Sequence, residues 1–561
     1  MFKSKKKSKK SKKNSKKQNK QATPTLSLKE KLAQKRQAAK AKKELTSLLT
    51  TAISGGVFLG IILFFVAGIK LAIPGVAGVI VLALSYKYPR QALFAFIIYV
   101  PFGGTIIYLL GNSPILQLAK DAFYIPAVIA LYQQCKKQKM PFLLPKGIKT
   151  PFLILFSLCI VTLVFANGMQ QINPPPPKLF APPVKEMPLG MGILGLKVFL
   201  GYFPLITCAY YLIRNKRDFL FISRLQVVLI LICCILGFLQ YMLLVVGICE
   251  GTRNAVGDAL FKATLDARCF IGGSLVFSPS QGMIRLPGTF VAPWQWAWFL
   301  ISSTFFTFAT GFNDPSILWR IISLVSLGTV LVNAVVSGQR IALALVPACF
   351  VLLLVLTGQL KRLKAFLPLF ILLFLVIFGA IASNPGVIEE RLDSFISRWN
   401  ASPPYEFITQ QFEESWHFLQ KKGEYVGKGL GRATNSARVL GKTQLIETYY
   451  PKLIYEIGPL GALGFLVFAT SLTIISFRTY RSIKNRNFRG YGAALWVFIL
   501  FISYNTYYYP LDVDPVAVYY WFFAGVLFKL PEIDKIEQLK EEQNQEAENK
   551  RGKRKPRVKK K

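Results

Sequence analysis

From Thr51 to Leu530, apolar runs of 16 to 30 residues follow one another almost without pause, separated by short clusters of charge, proline and glycine. Wound as helices, runs of this length match the hydrocarbon thickness of a bilayer. None of them alternates with the period of two that barrel strands require. Backbone groups in lipid must also be bonded within their own segment, so the spans read as helices. The pattern places them at 51–69, 71–86, 91–111, 116–133, 151–167, 190–213, 219–248, 287–311, 317–337, 341–358, 365–383, 454–477, 491–509 and 515–530. The predicted fold is all-α: a polytopic transmembrane helical bundle of about 12–14 spans, with one large extracytoplasmic loop, 384–453, that contains short helices. Three regions follow: a basic, disordered cytoplasmic tail over 1–50, the membrane domain over 51–530, and a charged cytoplasmic tail over 531–561.

Composition agrees: 53% of the 561 residues are hydrophobic and the mean hydropathy is +0.40, which excludes an ordinary soluble protein. The net charge of +42 resembles that of a nucleic-acid binder, but it sits in tails and short loops. Residues 1–43 carry 18 Lys and Arg against the single acid Glu30, and Phe2 is the only aromatic that could stack on a base. Such a tail suits anionic lipid, with RNA as the alternative; no nucleic-acid partner is expected. It is not a signal peptide, because the first apolar run starts only near Thr51.

Loop charge orients the chain. YKYPR, KKQK, RNKR, KRLK and RTYRSIKNRNFR fall on alternate loops, on the same side as both tails, and the positive-inside rule makes that side cytoplasmic. Segments 168–189, 249–286 and 384–453 then lie outside, and function with them. Cys135, Cys159, Cys208, Cys233, Cys234 and Cys349 lie in or beside spans and read as small apolar packing. Cys249 and Cys269 share an outer loop, where a disulfide and two unpaired thiols are both open. No Cys/His spacing suggests zinc, and the chain has one histidine, so neither a metal nor a cofactor is expected.

That histidine, His417, stands beside a helical stripe of Ile408, Phe412, Trp416 and Leu419 that would dock on the membrane domain, and it reads as a surface group. Gly427, Gly429 and Gly431 could cradle a phosphate, although such glycines more often make a turn. A phosphate-binding P-loop over SARVLGKT fails because Ser436 stands where its first glycine should be. Arg285 and Arg340 are more informative. Each opens an apolar run at its outer end, where a guanidinium is costly unless it faces protein, water or a ligand. Its rigid fork of donors suits a diphosphate; the alternative is a snorkelling arginine. Glu447 sits where the large loop meets the next span and could act as base on a sugar hydroxyl, whereas Glu456 reads as structural. Arg432, Arg438, Tyr449 and Tyr450 surround that junction and are candidate substrate-binding groups.

RLPGTFVAPWQWAWFL (Arg285 to Leu300), SGQRIALAL (Ser337 to Leu345), SWHFLQKKGEYVGKGLG (Ser415 to Gly431) and ETYYPKLIYEIGPLGALGFLVF (Glu447 to Phe468), in this order, resemble the O-antigen ligase and polysaccharide polymerase superfamily. The lysine-rich start and overall length are similar to the cyanobacterial members associated with hormogonium polysaccharide. The resemblance implies about a dozen spans, an undecaprenyl-diphosphate-linked glycan donor, a glycan, lipid or protein acceptor, other polysaccharide assembly proteins as partners, and metal-free transfer outside the inner membrane. It makes Arg285 and Arg340 the phosphate-handling arginines. Eleven residues before the glycine of the E-x-G motif, Gly458, ligases carry a histidine; here the position is Glu447. Trp294 likewise stands where an asparagine is common. These departures favour a polymerase or another specialised transferase over a lipid-A-type ligase. An exporter or flippase, or a non-catalytic scaffold, is the alternative. An exporter should show internal repeats and ionisable residues deep in several spans, and neither is evident.

The orientation is testable with reporter fusions. A fusion at Gly423 should read outside the membrane and fusions at Gln138, Leu363 and Asn485 inside; a cytoplasmic signal at Gly423 refutes the orientation.

Overall fold

A computed structural model describes residues 28–553, except 112–115, 117–118, 143–144, 175–185, 258–259, 261–266, 280–281, all but scattered residues of 361–394, and 398, 402, 423 and 424. The span expected at 365–383 and the KRLK loop lie outside the described residues. Among the described residues, eight helices are long and apolar enough to cross a membrane.

The chain divides into two compact units, Met1–Leu84 and Ser85–Lys561. In the first, α1 (Leu28–Ala67) turns at Gly68 into α2 (Ile69–Lys87). Gly56 and Gly60 admit Val76, and Leu63 lies over Gly75, so small residues let the two helices approach closely. The expectation of disorder over 1–50 is corrected for 28–50, which is helical: Ala, Lys, Glu and Leu dominate there, all strong helix formers that continue directly into an apolar helix.

The second unit contains α3 (Pro89–Tyr99), α4 (Gly103–Leu109), α5 (Asp121–Lys137), α6 (Lys146–Thr162), α7 (Pro188–Leu200), α8 (Leu205–Leu212) and α9 (Lys216–Val245). After four short strands come α10 (Pro293–Asn313), α11 (Ile317–Val336), α12 (Arg340–Leu356), α13 (Pro404–Lys422), α14 (Tyr449–Arg481), α15 (Arg486–Tyr504) and α16 (Val516–Lys553). Helix α10 is the axis, packed against α9, α11, α12 and α15 and buried along almost its whole length. Several of its hydroxyls bond back to carbonyls one turn earlier, as Ser303 Oγ does to Phe299 O (2.6 Å) and Thr307 Oγ1 to Ser303 O (2.7 Å), so these residues need no partner outside the helix. At its end Asp314, fully buried, receives both Nε and Nη2 of Arg224 on α9 at 2.9 Å.

Several spans differ from expectation. The run 91–111 breaks at Val100–Phe102, where Pro101 lacks an N–H, and 190–213 breaks between Leu200 and Leu205. The run 287–311 starts as a helix only at Pro293, and 491–509 stops at Tyr504, which leaves 505–515 as a loop. The expected all-α helical bundle is found, with two small hairpins between α9 and α10 as its described strands.

Four of the five basic loops gather at one end of the bundle. Arg90 meets Asp218 at 3.0 Å, Lys216 meets Glu537 at 3.6 Å, the Lys484 N–H donates to Asp534 at 2.8 Å, and Tyr211 Oη donates to Pro141 O at 2.8 Å.

Helix α14 is broken inside its span. Gly458 has φ +73° and Pro459 follows it. Proline has no N–H to offer the Tyr455 carbonyl four residues back, and the Lys428 N–H of the preceding loop takes that place at 2.7 Å. Gly429 N–H bonds the Glu456 carbonyl at 3.1 Å. A Cβ on Gly458 would lie 2.1 Å from the Tyr425 carbonyl oxygen. Gly458→Ala should therefore cost at least about 2 kcal/mol, from left-handed strain plus the clash. Gly78→Ala, inside α2 and meeting nothing within 4 Å, should be neutral or mildly stabilising; thermal unfolding of the two variants in detergent distinguishes them.

Candidate functional site

The loop after α9 folds because its ends are tied. Cys249 and Cys269 form a disulfide with Cα atoms 5.6 Å apart, and they pack with Leu275, Ile284, Leu286 and Val336. Strand β1 (Arg268–Cys269) pairs with β2 (Gly272–Ser274), and β3 (Val276–Ser278) with β4 (Met283–Arg285). Arg285 is the last residue of β4. The next N–H, of Leu286, donates to Ser337 O at 2.9 Å, and Ser337 and Gly338 turn into α12, whose first residue is Arg340. One backbone hydrogen bond thus holds the two arginine segments side by side. Arg340 is half-buried at a helix start with no side-chain cap, where the helix dipole is positive and favours an anion.

Glu447 reaches the same place from the other side. Its N–H donates to Gln411 Oε1 on α13 (3.2 Å) and its carbonyl accepts from Tyr508 N–H (2.9 Å). Thr448 bridges to Tyr507, and Trp298 Nε1 on α10 donates to Tyr508 O at 3.1 Å. The loop 505–515 is therefore stitched to the Glu447 junction and to the central helix. Burial lowers the Arg285 pKa, while Tyr508 and the Glu447 carboxylate act to raise it. Burial and then Glu447 push Tyr508 up, with Arg285 opposing; burial and Glu447 likewise raise Tyr509, opposed by an Asn435 hydrogen bond and Arg438. The Glu447–Tyr508 hydrogen bond places Glu447, Tyr508 and Tyr509 together, Arg285 lies close enough to feel the charge of Glu447, and Arg438 is exposed. Arg285 Nε is buried with no hydrogen-bond partner among the described residues. A guanidinium edge left so is a natural place for a ligand oxygen.

Tyr508 and Tyr509 were not expected from the sequence, because TYYY (506–509) fell inside the span drawn at 491–509. Both have positive φ, +58° and +31°. This conformation is strained for a bulky residue and persists where the surroundings enforce it.

Other candidates sit elsewhere. Arg432 is not at the site: it is buried, with Nη1 on Glu186 (2.8 Å) and Nε and Nη2 on Gln170 Oε1 (3.0 and 2.6 Å). Burial alone would raise the Glu186 carboxyl; the Arg432 and Lys442 hydrogen bonds outweigh it and hold the pKa below its usual value. Tyr449 is 1% exposed, packed on Phe465, and Tyr450 Oη donates to Ser503 O at 2.7 Å, so both rings serve the bundle and not a substrate. Glu456 is structural as expected, accepting from Ala433 N–H (2.6 Å) and Thr434 Oγ1 (3.0 Å). The 427–431 glycines form no phosphate cradle. Their segment lies against the break in α14, where a Cβ on Gly427 (φ +89°) would be 2.4 Å from Glu456 O. The docking face of α13 is rotated from the expected stripe. Gln411, Ser415, Phe418 and Leu419 turn inward, Phe412, Trp416 and His417 outward, since the face must carry Gln411 to Glu447.

No protein-family model and no curated protein matches the chain.

The disulfide has a direct readout. Alkylation of the denatured protein should modify six of its eight cysteines before reduction and all eight after. Cys249→Ser should remove about 3 kcal/mol of loop constraint in the chain-entropy estimate. Eight alkylated thiols without reduction would show that the Arg285 hairpin is held by packing alone.

Proposed function

We propose that this protein is a membrane glycan transferase that polymerises or ligates a polyprenyl-diphosphate-linked glycan on the extracytoplasmic face of the inner membrane, with both termini in the cytoplasm. The observation that carries the reading is the meeting of Arg285, with its unpartnered guanidinium edge, and Glu447 where the outer loops meet the membrane helices, beside the helix that begins with Arg340. The ordered motifs that resemble the O-antigen ligase and polysaccharide polymerase superfamily supply the substrate class. The gathering of basic loops at one end of the bundle supports the orientation.

In this reading the donor enters sideways from lipid and its diphosphate lies against Arg285 and Arg340. An acceptor hydroxyl attacks the anomeric carbon of the donor glycan. The C–O bond to the diphosphate breaks, the diphosphate leaves on its lipid with the bonding electrons, and Glu447 takes the hydroxyl proton. The arginines act where negative charge grows as the bond breaks, chemistry that needs no metal ion. Tyr508, which is half-buried, offers an aromatic face to the sugar, and Arg438 extends the basic rim.

Glu447→Gln keeps size and hydrogen bonding but removes the proton acceptor, and should slow transfer by roughly a hundred- to ten-thousandfold, with lipid-linked donor accumulating outside. Arg340→Lys should also impair transfer, because a point charge replaces a two-pronged donor, whereas His417→Ala should be nearly silent. Assay of the purified protein with a lipid-linked oligosaccharide measures all three. Full polymer output from both site variants sinks the assignment, and a glycan stranded on the cytoplasmic side identifies an exporter instead.

A further inference from the structure

At the end of the bundle where the basic loops gather, α9, α11 and α16 enclose an open cleft of about 740 Å³. It is far from the Glu447 site: 21 residues of α16 separate Val516 from Glu537, about 30 Å of helix. The lining is basic at one end and mostly apolar beyond it, with Arg224 among the apolar residues. Lys216 and Arg217, in the first turn of α9, and Lys540 of α16 stand at the mouth. One face of α9 then continues inward through Phe221, Leu225 and Val228, opposite Trp319 of α11. From Arg217 to Val228 the helix rises about 17 Å, so a basic head region and a hydrocarbon-length apolar strip lie in line. Around the cleft are four cations, counting Arg224, against two carboxylates, Glu537 and Asp314. Arg224 is held by Asp314 with its guanidinium 5.3 Å from the Trp319 ring, and Glu537 lies between Lys216 (3.6 Å) and Lys540 (2.8 Å). Arg217 is exposed and makes no ion pair among the described residues. The positive end of the α9 dipole adds to the same field.

The geometry points to a binding site for one anionic glycerophospholipid, its phosphate between Lys216, Arg217 and Lys540 and one acyl chain along Phe221, Leu225 and Val228 against Trp319. The apolar strip argues for a lipid over a soluble anion, and the excess of cations argues for an anionic headgroup over a zwitterionic one. This site does not depend on the glycan-transferase reading.

The test uses the full chain in phosphatidylcholine nanodiscs containing phosphatidylglycerol with a photoreactive diazirine on its acyl chain. Adducts should map to the 217–228 segment and Trp319, and unlabelled phosphatidylglycerol should compete well ahead of phosphatidylcholine while inorganic phosphate does not compete. Arg217→Gln with Lys540→Gln, both exposed, should weaken binding roughly thirtyfold, as expected for two basic side chains at a lipid surface. Val228→Trp, which fills the apolar half, should abolish the 217–228 adducts with the basic rim intact. Adducts unchanged in both variants, equal competition by phosphatidylcholine, or full competition by inorganic phosphate would each overturn the assignment.

Discussion

The break in α14 and the loop segment that repairs it are the constraint on which the candidate site depends. A helix interrupted by Gly458 and Pro459 leaves carbonyls without donors, a costly state at membrane depth. The Lys428 and Gly429 N–H groups satisfy Tyr455 and Glu456, and the Glu456 carboxylate reaches back to Ala433 and Thr434. Asn167 completes the clamp: its side chain bonds Leu430 through both the N–H (2.9 Å) and the carbonyl (3.0 Å). Because the loop is fixed here, the chain from Leu430 to Glu447 starts from a defined point, and the Glu447 junction inherits that position.

From this anchor the polar groups sort into two kinds. Arg432, Glu186, Lys452, Asp512, Thr434 and Glu456 are buried or half-buried and bonded to one another, so they brace the loop on the bundle. Arg285 belongs to the other kind, with a buried edge that nothing described satisfies. Other buried groups, Arg90 Nε and the Tyr449 hydroxyl among them, also lack a partner among the described residues; Arg285 differs in feeling the charge of the Glu447 carboxylate.

The strained tyrosines fit the same logic. Positive φ at Tyr508 and Tyr509 is held by the Glu447 carbonyl on one side and the Trp298 indole on the other. Residues from α10, the α14 junction and the 505–515 loop must all be in place at once. The site therefore reports on the assembled bundle, not on any single loop.

Run length and loop charge were enough to give the helical membrane class, most of the spans and the grouping of basic loops at one end, because these depend on local hydrophobicity and on charge counts along the chain. Arg285, Arg340 and Glu447 were legible one at a time, as charges at the ends of apolar runs. Their relation was not, since it rests on a hydrogen bond between Leu286 and Ser337 and on Glu447 meeting Tyr508, contacts between residues about 50 and 60 positions apart. Hydropathy hid Tyr508 and Tyr509, because aromatic rings score as membrane whether they line a span or a loop. It also could not separate Arg432 from Arg438: both are arginines in one loop, and only packing against Gln170 and Glu186 decides that the first is a strut while the second faces the site. Sequence determined which segments are apolar enough to cross a membrane; tertiary packing decided that Arg432 and Glu456 were already satisfied and that Arg285 was left with an open edge.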